Sequence, residues 1–266
     1  MPKTTAIAPA DVRVSVVGDV PGGTAEYAQA KIATAAGHVR KPVLRARVRI
    51  TVHPNPAVRR PVVAEANLDV NGTLVRAQVD APTAREAVDL LEAKLRRRLD
   101  RLARHWAATR SRTPANEPNR WRRAAEPGNR PTHIPREPDE RRIIGHKSFA
   151  TSPATIDDAA FEMDAMDYDF HLFTEAGSGQ DSVIYRADPT DLRVAQVNPA
   201  PAQLSPFSVP ATISTRPAPL LSVDEAVAQL NLTDLPFLFY LDAEHARGCV
   251  LYRRYDGHYG LISPAV

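Results

Sequence analysis

The chain contains a single cysteine, Cys249, so no internal disulfide can form and no cysteine-rich zinc cage can be built. That scarcity agrees with a reducing compartment, and Cys249 itself reads as a small buried hydrophobe on a strand. No run approaches the roughly 18 consecutive apolar residues of a membrane span. The opening MPKTTAIAPADVRV lacks the apolar core of a signal peptide. The expectation is a cytoplasmic protein with no membrane partner. None of the histidines forms a His-x-x-x-His or His-Glu-x-x-His pair, the spacings that put two imidazoles on one metal. Gly-rich phosphate loops, Gly-x-Ser-x-Gly elbows and Cys/His pairs are missing too. With no nucleophile or base to name, the chain reads as non-enzymatic, without catalytic residues, metal, cofactor or small-molecule substrate.

Proline, by contrast, is plentiful: 24 residues in a chain of 266, roughly twice the average share. At this length two or three compact units joined by linkers are expected, and the prolines should mark the linkers. The net charge of +3 hides an asymmetry. Residues 1–142 hold 27 basic and 15 acidic side chains, a net of +12, whereas residues 143–266 hold 7 and 16, a net of −9. Such a division suggests that the first half meets a polyanion and the second does not.

Along the first half the pattern is β-α-β-β-β-α. Residues 12–18 (VRVSVVG) alternate and stop at glycine, as a short strand would. Thr24 can cap a helix through Tyr27, Lys31, Ile32 and Ala36, ending near Gly37. From Val43 to His53, Leu44, Ala46, Val48, Ile50 and Val52 face one way and Arg45, Arg47 and Arg49 the other, which describes a half-buried strand with a cationic outer face. Residues 62–70 and 73–81 alternate on either side of Asn71-Gly72, the dipeptide that supplies the positive φ angles of a tight hairpin. Thr83 and Glu86 then stand three apart as a capping box. They open a helix of about 22 residues whose apolar stripe is Ala84, Ala87, Val88, Leu91, Leu95, Leu99 and Leu102.

Residues 107–142 lose all periodicity and read as a basic, extended linker. Trp106 and Trp121, the latter followed by Arg122 and Arg123, either stack on RNA bases or dock back onto the domain. Beyond lies an internal repeat: residues 155–196 align without gaps on 222–263, a fixed offset of 67. Asp157 matches Asp224, Asp167 matches Asp234, Phe170 matches Phe237, and Tyr185-Arg186 matches Tyr252-Arg253. Each copy reads as a helix followed by three strands. Such a unit is too small for a comfortable core, so the two copies are expected to pack on each other. Gly177–Gly179 reads as a turn. Asp157, Asp158, Glu162 and Asp164 either hold a metal or complement the positive end of a helix dipole. His245 and His258 read as solvent-facing. The expected class is α+β: two helices on one face of a four-stranded sheet, then two small α+β repeats. The divisions fall at 1–106, 107–142, 143–199, 200–213 and 214–266.

The helix segment AVDLLEAKLRRRL, Ala87 to Leu99, resembles the last helix of the ribosome hibernation promoting factor family. The ending YRRYDGHYGLISP, Tyr252 to Pro264, is similar to the C-terminal signature of that family's long form. The resemblance implies a non-catalytic protein lying on small-subunit RNA between head and body, across the path of messenger and transfer RNA. Its partner would be the 16S rRNA of the 30S subunit within the 70S ribosome. It also implies that basic residues of the last helix and neighbouring strands meet phosphates. The matching positions are Lys31, Lys94 and Arg97, with Arg96, Arg98 and Arg101 nearby; Asp89 matches the pattern without an assigned contact.

From the residues themselves, Arg45, Arg47 and Arg49 share one sheet face and Arg76 lies on the second hairpin arm. Arg97, Arg101 and Arg104 form one helix ridge that Lys94 extends. Guanidinium suits phosphate because it donates two parallel hydrogen bonds and stays charged. The family's long form carries one C-terminal module that pairs with that of a second molecule. Here the module occurs twice, and the first copy diverges at its end, with ADPTDLRVAQ in place of RYDGHYGLIS. The candidate pairing residues are Phe170, Phe173, Ile184 and Tyr185 in one copy, and Phe237, Phe239, Leu251, Tyr252, Tyr259 and Leu261 in the other. Pairing within one chain, leaving single ribosomes inactive, is the expectation. An RNA chaperone or translational regulator acting on other RNAs is the alternative.

Overall fold

A computed structural model describes residues 7–55, 58–111, 136–149, 153–188 and 191–265. Most of the expected linker, including Trp121, Arg122 and Arg123, lies outside the described residues. The chain divides into two compact units.

The first unit comprises the residues up to the end of the long helix together with Asp164–Tyr168. Its elements are β1 (Val12–Val17), α1 (Thr24–Ala36), β2 (Val43–Val52), β3 (Val62–Val70), β4 (Thr73–Ala81) and α2 (Ala84–Ser111). The sheet order is β1-β2-β3-β4. β1 and β2 are parallel because α1 carries the chain back between them, whereas the other neighbouring pairs, with no helix between their strands, are antiparallel. Asn71 and Gly72 adopt φ of 52° and 87°, and the Gly72 N–H donates to Asp69 Oδ1 at 2.8 Å, closing the hairpin at the expected dipeptide.

Ala46, Val48, Ile50, Ala64, Ala66, Leu68, Val75, Ala77 and Val79 form the buried sheet face, and all seven stripe residues of α2 are buried. Each leucine of that stripe contributes about 1.5–3 kcal/mol. Alanine at the middle of three strands lets the helices approach closely. Two local expectations differ. Leu44 is 64% exposed because a bulge between Val43 and Arg45 shifts the register and turns it outward. Thr24 is the first helical residue and not the cap: Gly23 occupies that position with φ 79°, and Thr24 Oγ1 donates to Pro21 O at 2.6 Å. α2 runs to Ser111, more than a turn and a half beyond the expected end.

The second unit holds the repeat. Copy 1 contributes β5 (Ile143–Phe149), β6 (Pro153–Ala154), α3 (Ile156–Ala165), β7 (Phe170–Glu175), β8 (Asp181–Arg186) and β9 (Leu192–Gln196). Copy 2 contributes β10 (Ala211–Ile213), β11 (Leu220–Leu221), α4 (Val223–Thr233), β12 (Phe237–Asp242), β13 (Gly248–Arg253) and β14 (Tyr259–Pro264). The offset of 67 carries every element of copy 1 onto its counterpart. Thr155 and Ser222 cap the two helices through the N–H of Asp158 and Glu225, as the Ser/Thr-Asp starts require.

Two five-stranded sheets result, in the orders β10-β9-β8-β7-β6 and β11-β12-β13-β14-β5. The leading strands are exchanged: β5, the first strand of copy 1, lies parallel to β14 of copy 2, and β10, the first strand of copy 2, lies parallel to β9 of copy 1. The stretch expected to act only as a proline-rich connection therefore also completes a sheet. The divergent end of copy 1 still forms β9, and β10 covers its outer edge.

Candidate nucleic-acid interface and module contact

The outward face of the first unit's sheet is striped by charge. Arg45, Arg47 and Arg49 alternate with buried Ala46, Val48 and Ile50 and are all exposed. Across the ladder they stand opposite Asp69, Asn67 and Glu65 of β3, while Arg13 of β1 stands beside Arg47. Arg76 of β4 is partly buried and committed to Glu65 at 3.0 Å. Burial pushes the Glu65 carboxyl up, but hydrogen bonds from Arg76 and Asn67 outweigh it and hold the group below the usual carboxylate range. The face is thus a row of guanidinium groups bordered by the side chains of Asp69, Asn67 and Glu65.

Helix α2 separates its basic residues into two sets. Arg96, Arg97 and Arg104 are exposed. Lys94 and Arg98 are buried: the Lys94 ammonium donates to Gln78 O at 2.8 Å and meets Asp167 at 2.6 Å, and Arg98 meets Asp167 at 2.6 Å. Arg101 pairs with Asp164 at 2.5 Å. The ridge expected from Arg97, Arg101 and Arg104, extended by Lys94, is therefore not one solvent-facing row, since Lys94 turns onto Gln78 of β4 and Asp167 while Arg97 and Arg104 stay exposed. Lys31 pairs with Asp89 at 2.8 Å, which also accepts from Tyr27 Oη at 2.6 Å. These contacts join α1 to α2 and give Asp89 its role. Trp106 lies under the Lys41 ammonium, 5.9 Å from its ring centre, so it docks on its own domain.

In the second unit each sheet buries one face against its helix. For copy 2 that core holds Ala226, Leu230, Leu238, Tyr240, Cys249, Leu251, Tyr259 and Leu261. The opposite faces meet each other through Leu172, Val183, Val197, Phe239 and Val250, surrounded by Phe170, Tyr185, Phe237 and Tyr252 among others. Of the candidate pairing residues, Phe170, Tyr185, Phe237, Phe239 and Tyr252 come together here. Leu251, Tyr259 and Leu261 instead serve the core of copy 2, and Phe173 and Ile184 are the counterparts of Tyr240 and Leu251. Neighbouring strand residues point to opposite faces, so a set mixing both parities had to mix both faces.

The contact has a near two-fold arrangement. The rings of Phe170 and its counterpart Phe237 meet at a tilt of 31° with centres 4.7 Å apart, while Phe170 to Tyr252 and Tyr185 to Phe237 measure 5.6 and 5.4 Å. Sequence reasoning missed Leu172, Val183 and Val250; strict alternation from Phe170 would have found Leu172. It also missed Asp181, whose carboxylate accepts from Arg247 at 2.7 Å and from the Gly248 N–H at 2.9 Å.

The acidic residues at the start of copy 1 have protein partners. Asp157 accepts from the N–H groups of Ser208 and Val209, and Glu162 meets His171 at 3.1 Å. His245 is exposed and lies 2.6 Å from Asp242, which raises its pKa. His258 accepts from the Arg142 N–H at 3.2 Å. Among the described residues no helix is long and apolar enough to cross a membrane.

Comparison with known proteins covers both units. The model of the Sigma 54 modulation protein/S30EA ribosomal protein matches residues 14–106, and that of the Sigma 54 modulation/S30EA ribosomal protein C terminus matches 138–194 and again 213–261. The chain is 37% identical over 256 residues to a Mycobacterium tuberculosis protein named dormancy associated translation inhibitor, covering 91% of this chain and 86% of that one. It is 24% identical over 164 residues to a ribosome hibernation promotion factor of a Picosynechococcus species, covering 60% and 82%. Among solved structures it resembles the N-terminal domain of Thermus thermophilus Protein Y, at 17% identity over 35% of this chain and 98% of that one, with a TM-score of 0.29. With the N-terminal part matched once and the C-terminal part twice, the chain belongs to the sigma 54 modulation/S30EA ribosomal protein family.

Proposed function

We propose that the protein is a ribosome hibernation factor: a non-enzymatic translation inhibitor of the cytoplasm that occupies idle ribosomes. The observation that carries this reading is the likeness to a named translation inhibitor along nearly the whole chain, through the basic unit and both C-terminal copies. The basic unit, residues 1–106, lies on the 16S rRNA of the small subunit, across the path of messenger and transfer RNA. Arg45, Arg47 and Arg49 on the sheet and Arg96, Arg97 and Arg104 on α2 meet phosphates. Phosphate contacts supply affinity, and the shape of the unit selects the site. Residues 107–142 tether the C-terminal modules.

Those modules pair within one chain. Two complementary surfaces on one polypeptide face each other at an effective concentration of about millimolar when the connection is short, which favours internal pairing over pairing between molecules. The protein then holds single 70S ribosomes. Gradient sedimentation with ribosomes tests the reading: the protein should travel with 70S particles and stop translation of an exogenous message. Recovery only with free RNA, with translation intact, would overturn it in favour of an RNA chaperone.

A further inference from the structure

The near two-fold relation between the copies brings equivalent positions face to face, as in any isologous contact. One such pair is not chemically equivalent. Copy 1 has Gln180-Asp181 where copy 2, 67 residues on, has Arg247-Gly248. Asp181 is buried, and its carboxylate accepts two hydrogen bonds from Arg247, at 2.7 and 3.1 Å, and one from the Gly248 N–H at 2.9 Å. A Cβ placed on Gly248 would lie 2.7 Å from that of Asp181, closer than two side chains can stand.

We infer that these dipeptides form a one-of-each lock, so that the contact accepts copy 1 against copy 2 and refuses two like copies. Two copy-1 faces would bring Asp181 against Asp181, two buried carboxylates with glutamine where the arginine should be. Like charges in that setting cannot both stay ionised without large cost. Two copy-2 faces would leave paired Arg247 side chains without a carboxylate and both Gly248 N–H groups without their acceptor. The partner that fits is a module of the opposite type, on the same chain or on another. Burial pushes the Asp181 carboxyl up, but Arg247 and the Gly248 N–H outweigh it and keep the group ionised, below its ordinary range.

This inference deepens the proposed pairing of modules within one chain and rests on it for the choice of same chain over another. The test uses the full chain in three forms: wild type, Arg247→Gln with Gly248→Asp to give both copies the copy-1 dipeptide, and Asp181→Asn alone. The first variant should lose the module pairing at neutral pH. Amides of β8 and β13 should exchange at least tenfold faster, and the melting temperature of the second unit should fall by roughly 5 °C or more. If that variant fails to fold, Asp181→Asn decides, because it keeps the shape and removes the charge: faster exchange supports the lock. Wild-type protection in the double variant, or in Asp181→Asn, overturns it. The mass of the wild-type chain is read separately. A dimer of chains would overturn pairing within one chain while leaving the lock to be judged by the same variants.

Discussion

Cys249 is 4% exposed on β13, and burial pushes its thiol up to about 12. The nucleophile is the thiolate, so at neutral pH this side chain is inert. Iodoacetamide should leave the native protein unmodified by mass spectrometry and add one group once denaturant exposes the residue. Carboxylates of the second unit behave oppositely. Glu175 is fully buried, which pushes its carboxyl up, yet the N–H groups of Ser178, Ser205 and Gly177 outweigh that burial and lower it; Asp181 is lowered in the same sense. A carboxyl lowered in the folded state contributes stability that is present above its unfolded pKa of about 4 and is lost as pH falls through the folded value. Urea midpoints of the second unit should therefore decline as pH falls below ~4. Replacing Glu175 by glutamine should flatten that decline.

At the scale of elements, β2 and α2 offer opposite kinds of basic residue. Alanine at Arg45, Arg47 and Arg49 removes exposed side chains from a strand whose buried partners stay in place. Stability should change by about 0.5 kcal/mol or less per site, while the salt dependence of ribosome binding falls by about one unit of slope for each phosphate that is no longer neutralised. The same reasoning covers Arg96, Arg97 and Arg104. Lys94→Ala, by contrast, leaves the buried Asp167 carboxylate short of a partner and should cost about 3 kcal/mol or more, measured as a lower unfolding midpoint.

This division was only half legible. The alternation of β2 and the apolar stripe of α2 fix which residues face the core, but a helical wheel does not say where a sheet edge ends, so Lys94 reads as one more member of the ridge. Likewise the hairpin at Asn71-Gly72 and the start of each repeat helix are written locally. β5 and β10 are not: IIGHKSF and ATI carry little alternation, and only pairing with strands distant in sequence makes them strands.

The whole molecule joins a basic unit to an acidic one, and the gap-free repeat was its plainest long-range sign. The inequality of the copies lay hidden in the same alignment, because Asp181 opposite Gly248 gains meaning only when the two positions meet. If internal pairing prevails, native mass spectrometry should give one chain per particle at micromolar concentration, and ribosomes saturated with protein should sediment as single 70S particles with no paired peak. A concentration-dependent dimer that joins ribosomes would contradict this.

The exchanged strands also set an order of events during synthesis. β5 is made well before its partner β14, since Ile143 pairs with Tyr259 and Phe149 with Pro264. Until β14 has been made, β5 has no edge of that sheet to join, and the second sheet cannot close. Contacts so distant in sequence form slowly. Stalled nascent chains ending before Tyr259 should be cleaved near β5 by a protease that spares the released protein, because the second sheet matures only once β14 is present.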